Sequence, residues 1–202
     1  MESLSDQGYI YLNFSPPCWK WDLDKIVNLE ISDNVVTLLI EEMQRLDPEQ
    51  QLALKVGSCL GSSVERTIVH ILSRDLHINL SELFSQVVSK GFMIDLGDAG
   101  VRFTHDKIEQ AAYEMLPQRE RYENHMRFGL AICSHALDNG GDVANEDLFF
   151  LAINQINRGG PDMLVNVNQK IMIAALNQKA GKRSLERSDL NTAQKFFEHG
   201  EI

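Results

Sequence analysis

The hydrophobic positions of this 202-residue chain follow two periods, and the switches between them mark its elements. From Tyr9 to Phe14 the chain alternates, with Ile10, Leu12 and Phe14 on one side. Ser15-Pro16-Pro17-Cys18 is turn chemistry and Trp19-Lys20-Trp21-Asp22 alternates again, which predicts a β-hairpin. A lone hairpin is marginal in water, so its apolar side is expected to rest on something. Helical spacing begins at Ser32 or Asp33, where Val35, Val36, Leu39, Ile40, Met43 and Leu46 form one stripe. Asp47-Pro48-Glu49-Gln50 reads as a second helix start, with Asp47 as N-cap, Pro48 at the first position and Gln50 closing a capping box. That helix extends to about Ser58. Gly61-Ser62-Ser63 breaks and recaps the chain, predicting a third helix from Val64 to about Arg74. Asn79 caps a fourth, Leu80 to Lys90, and Gly91 is placed to end it in a left-handed conformation. Phe92 to Leu96 and Val101 to Phe103 flank Gly97-Asp98-Ala99-Gly100 with the spacing of a hairpin.

From Pro117 onward only helical spacing remains. Helices are expected over Arg119 to Leu137, Glu146 to Asn157 and Asn168 to Leu185, and Ser188 is expected to cap a last one over Asp189 to His199. Asn139-Gly140-Gly141 reads as a loop and Gly159-Gly160-Pro161 as a helix stop. The fold class is therefore mainly α. Three of these four helices followed by a short β-hairpin match a winged-helix outline.

The stretch Val101 to Tyr113 turns from strand to helix with a His105-Asp106 pair at the join. Thr104 is the expected N-cap, its hydroxyl accepting one of the amide hydrogens left unpaired in a first turn. Ile108, Ala111, Ala112, Met115 and Leu116 would then form the buried stripe. His105 and Asp106 fall in that first turn, where the macrodipole favours an anion and a histidine can donate to a phosphate oxygen. Taken alone, such a pair more often simply finishes a helix end.

The sequence Phe103-x-His105-Asp106-x-Ile108-x-x-Ala111-Ala112-Tyr113 resembles the motif that closes the winged-helix part of the STAND family, the AAA-related signal-transduction ATPases with numerous domains. Its nearest branch is the ATPase-like module of large serine/threonine and histidine kinases. Arg usually follows the Asp there and Gln the Ile; here Lys107 keeps the charge, and Glu109 is expected on the exposed face. The resemblance implies that His105 contacts the β-phosphate of bound ADP and holds a closed state, with Asp106 beside it. It also implies a division into residues 1–32, the trailing hairpin and linker of an ATPase core not present in this chain, 33–116, the winged-helix domain, and 117–202, a helical arm. Ala180-Gly181, Asp189-Leu190, Ala193 and Phe196-Phe197 resemble a tetratricopeptide-type (TPR-like) helix pair, although no second copy at that period is visible.

Composition narrows the chemistry. Apolar residues make up 44% and charged residues 24% of the chain, as in ordinary globular proteins. No apolar run reaches membrane-spanning length, the N-terminus lacks signal-peptide order, and Cys18, Cys59 and Cys133 lack metal-ligand spacing. A cytoplasmic location, without a membrane partner, is the expectation. The net charge of -10 opposes nucleic acid, and the would-be recognition helix, Leu80 to Lys90, sets Glu82 against Lys90. The wing offers Asp95 and Asp98 against Arg102. Lys179, Lys182, Arg183 and Arg187 read as a solvated helix face.

Gly57-Ser58-Cys59-Leu60-Gly61-Ser62-Ser63 is the one glycine-spaced candidate for a phosphate loop, and it lacks Gly-Lys-Ser/Thr. The expectation is a non-catalytic regulatory chain with no cofactor of its own, meeting ADP or ATP through an ATPase core and acting on a kinase effector, in cis or in trans. His125 and Gly129 match a His and a Gly of the family's next helix, where packing and one hydrogen bond are expected. Asn157-Arg158-Gly159 resembles the family's Asn-x-Gly, with Gln155 where a His usually stands. A helical interaction scaffold with a structural His105, or a DNA-binding winged-helix regulator, are the alternatives.

Overall fold

The computed structural model describes residues 10–14, 17–21, 31–138, 146–164 and 166–201. The expected loop at 139–141 and the centre of the first turn, 15–16, lie outside the described residues. Within them the chain is mainly helical. Strands β1 (Ile10–Phe14) and β2 (Pro17–Trp21) form an antiparallel ladder that sets Leu12 opposite Trp19. The expected support for this hairpin is not found at that pair. Leu12 and Trp19 are both exposed, as is Tyr11 on the other face.

Helices α1 (Ile31–Gln44), α2 (Pro48–Leu60), α3 (Arg66–Leu76) and α4 (Leu80–Ser89) follow. Val36 and Met43 of α1 are buried, and Leu39, Ile40 and Leu46 pack against them, so the apolar stripe is the core face. Asp47 and Pro48 start α2 as expected, but the capping box does not form. Gln50 instead turns into the interior and donates to Gln86 Oε1 at 3.3 Å, joining α2 to α4. Asn79 caps α4 by accepting from the Glu82 amide at 3.3 Å, and Gly91 follows with φ of 84°.

The third helix starts two residues later than its periodicity suggests. Ser63–Val64 are taken up as β3, which pairs with β5 (Val101–Phe103), and β5 pairs in turn with β4 (Met93–Asp95). The resulting sheet has the order β3-β5-β4. Gly100 makes this closure possible: at φ of 121°, a Cβ there would lie 2.0 Å from the Val64 carbonyl oxygen. Arg66 fastens the hairpin tip by pairing with Asp95 at 3.0 Å and donating to the Gly97 carbonyl at 2.6 Å.

Beyond the sheet come α5 (Asp106–Glu114), α6 (Gln118–Asp138), α7 (Glu146–Gly159), α8 (Val167–Glu186) and α9 (Leu190–His199). Helix α5 packs on α1 and α2, α6 lies along α7, and α9 folds back on α8. Arg127 of α6 reaches Asp75 in the last turn of α3, through its carboxylate at 2.7 Å and its carbonyl at 2.9 Å. The buried Asn177 exchanges two amide hydrogen bonds with Asn157, at 2.8 and 2.9 Å, and so couples α8 to α7. Ser188 does not cap α9. It takes a left-handed φ of 61°, and Asp189 makes the cap by accepting from the Thr192 amide at 3.1 Å. The basic residues of α8 are not simply solvated, since Lys179 and Arg183 lie over the Phe149 ring and Arg187 over Phe150.

Candidate functional site

The candidate site forms where β5 hands over to α5. Thr104 belongs to the sheet rather than to the helix: its amide donates to the Phe92 carbonyl at 3.0 Å and its hydroxyl to the Gly91 carbonyl at 2.8 Å. The cap therefore moves one residue on. His105 has extended backbone, and its Nδ1 accepts from the Lys107 amide at 3.1 Å. Asp106 Oδ1 accepts from the same amide at 2.8 Å and also contacts His105 Nδ1. The amide contact uses the Nδ1 lone pair while the carboxylate contact calls for a proton on Nδ1, so Nδ1 is the engaged nitrogen of the ring and the two contacts leave its tautomer open. Both side chains are largely exposed, at 65% and 79%. His105 thus stands as an exposed imidazole at the positive end of α5.

Behind Asp106, one face of α5 lines a cleft of about 520 Å³, bounded by Asp106, Glu109, Gln110 and Tyr113 with Ser58, His125 and Arg158 opposite. Glu109 is not on the freely exposed face. It is half-buried here, and burial pushes its carboxyl above the usual range, with Arg158 pulling it back. The spacing 106, 109, 110, 113 gives a polar stripe that helical periodicity could have exposed. Nothing in the sequence tied Arg158 to that stripe.

His125 makes two hydrogen bonds rather than one. It is 2% exposed and lies between Tyr113, whose hydroxyl meets Nε2 at 2.9 Å, and Gln155, whose Oε1 meets Nδ1 at 2.6 Å. Gln155 in turn donates from Nε2 to the Cys59 carbonyl at 3.1 Å. That donation leaves the amide oxygen facing the imidazole, so Nδ1 carries the proton and Nε2 accepts from Tyr113. Burial pushes His125 below its ordinary value; the Gln155 contact pulls upward and Arg158 pushes further down. The Cys59 thiol, also buried, is pushed up to about 12. Arg121 closes the C-terminal end of α5, donating to the Leu116 carbonyl at 2.8 Å and lying 4.6 Å from the Tyr113 ring centre.

The glycine-spaced segment at Gly57 is the last turn of α2, with Gly57, Ser58, Cys59 and Leu60 buried, so it has no phosphate-loop geometry. No group of histidine, cysteine and carboxylate side chains suited to a metal ion occurs among the described residues, and no helix there is long and apolar enough to cross a membrane.

No family model matches the chain, and no solved structure matches it. Among curated proteins it is similar to the hybrid signal transduction histidine kinase G of Dictyostelium discoideum, with 22% identity over 246 residues. The match takes in 98% of this chain and 7% of the kinase, so the chain spans a small part of that protein's length.

Proposed function

We propose that this chain is the non-catalytic regulatory portion of a STAND-type signalling ATPase, with His105 sensing the β-phosphate of ADP held by an ATPase core. In this reading the chain couples the nucleotide state of that core to a kinase-type effector. The observation that carries it is the presentation of His105: an exposed imidazole at a helix N-terminus, with Nδ1 engaged by the Lys107 amide and the Asp106 carboxylate. The distant likeness to a signal transduction histidine kinase agrees with a signalling role. The order helix-helix-strand-helix-helix-strand-strand-helix through α5 agrees with a winged helix, and the α8–α9 pair with a tetratricopeptide-type arm. The nucleotide would come from the core, since α2 occupies the place of the only glycine-spaced segment considered for phosphate.

The same Lys107 contact favours a second reading, in which His105 only caps α5 and the chain is an interaction scaffold. His105→Ala separates the two. In the isolated chain it should cost less than about 1 kcal/mol, because Asp106 still accepts from the Lys107 amide. In a protein joining the chain to its ATPase core it should speed ADP release about tenfold, the effect of one charge-assisted hydrogen bond. An unchanged ADP off-rate together with a large drop in melting temperature would establish the scaffold instead.

A further inference from the structure

We propose that the chain of hydrogen bonds from Tyr113 through His125 and Gln155 to the Cys59 carbonyl is a proton-operated latch, tying α5 to the α6–α7 pair while His125 is neutral and loosening that tie, with α5 still packed on α1 and α2, when His125 is protonated. The latch does not depend on the nucleotide reading. Its four members come from α5, α6, α7 and α2, and no buried side-chain polar atom among the described residues lacks a partner. Every direction in it is fixed from the Cys59 carbonyl outward: Gln155 donates to that carbonyl, Nδ1 donates to Gln155, and Tyr113 donates to Nε2. A proton added at Nε2 removes the acceptor that Tyr113 uses, and its hydroxyl has to turn away.

No carboxylate is hydrogen-bonded to the resulting imidazolium, whose ring contacts are Tyr113 and Gln155. From α7 it faces Arg158, and along α6 the Arg121 guanidinium covers the Tyr113 ring. From α2 it faces the Cys59 thiol, held neutral by burial. On α5 the Asp106 and Glu109 carboxyls line the same cleft, and burial pushes Glu109 above its usual range while Arg158 pulls it back. A buried cation without a contacting carboxylate is strongly disfavoured, so the proton is taken up where the ring can reach water. The sign follows. His125 sits below its unfolded value of about 6.5, so its contribution is complete above that pH and is lost as the pH falls through the lower folded value.

Backbone hydrogen exchange, corrected for intrinsic rates and compared at pH 7.5 and 5.5, reads the latch directly. In the wild-type chain the opening equilibrium of α5 should rise on acidification, by at most about tenfold per pH unit, the limit for one proton. His125→Gln can still donate to Gln155 and accept from Tyr113, yet has no proton to take up, and should flatten that rise. Gln155→Glu sets a carboxylate against Nδ1 and should reverse it, with α5 better protected at pH 5.5 than at 7.5. Equal slopes in the wild type and His125→Gln would overturn the proposal, as would simultaneous loss of protection in α5 and α7. If His125→Gln fails to fold, an unreversed trend in Gln155→Glu overturns it equally.

Discussion

Two glycines inside helices make a controlled test of how this core is packed. Gly129 lies on α6 where α7 crosses it most closely. An added Cβ would stand 2.7 Å from Ile156 Cγ1, 2.7 Å from the Ile156 amide nitrogen and 2.8 Å from the Ala152 carbonyl oxygen. Two of those neighbours are backbone, so no rotamer change relieves the clash and the helices must separate by roughly half an ångström or more to restore ordinary contact. Gly57, near the end of α2, differs: the added Cβ would meet only ring atoms of Phe103 and Phe84, at 3.3 and 3.4 Å. Alanine gains about 1 kcal/mol over glycine in a helix interior at either position. At Gly129 the forced separation costs about 1–3 kcal/mol for overpacking and more for lost contacts along the interface. Gly129→Ala should therefore destabilise the chain by about 1–3 kcal/mol net, lowering the melting temperature by about 2–4 °C per kcal/mol. Gly57→Ala should fall within about 0.5 kcal/mol of neutral. Urea unfolding followed by circular dichroism resolves the difference. A Gly57→Ala loss equal to that of Gly129→Ala, or a stabilised Gly129→Ala, would refute the close-approach account.

Gln155→Leu should cost about 2–5 kcal/mol, since it leaves both His125 Nδ1–H and the Cys59 carbonyl buried without partners; a loss below about 1 kcal/mol in the same unfolding assay would show that water replaces the amide. Cys59 should resist alkylation at pH 8 in the native chain and react on unfolding, because burial holds its thiol near 12; peptide mass mapping after iodoacetamide treatment checks this, and ready native labelling would mean that α2 opens far more often than its packing implies.

Long periodic stripes in the sequence carried the helical layout well. Val36 and Met43 in α1, and Ala111, Ala112 and Leu116 at α5, are buried where the 3.6-residue period placed the inner face. Elements fixed by distant partners were hidden. Ser63–Val64 is two residues long and becomes a strand only because β5 arrives beside it, so no local period could announce it. The caps at Thr104 and Ser188 were misplaced by one residue for related reasons. Thr104 has a competing acceptor in the Gly91 carbonyl, and Ser188 is spent on the reversal between α8 and α9. At the candidate site, His105 and Asp106 were visible as a pair, whereas the contacts of His125 depend on Gln155, thirty residues away along the chain. A glutamine at that position looks like the loss of a histidine until the fold brings the two side chains together.

The pairing of β3 with β5 also has a kinetic consequence. Helices α6 to α9 are joined to neighbours along the chain, whereas Ser63 and Val64 must wait for Arg102 and Val101. That contact encloses α3, α4 and β4 within one loop, whose closure entropy has to be met before the sheet returns any bonding. Assembly of this region should set the pace of folding, with the helical pairs forming ahead of it. Gly100 then acts on the rate as well as on the end state, because the approach it permits to the Val64 carbonyl is the event that closes the loop. A substitution there would slow refolding while leaving the early helix signal intact, a signature of a nucleus built around a single bare backbone position.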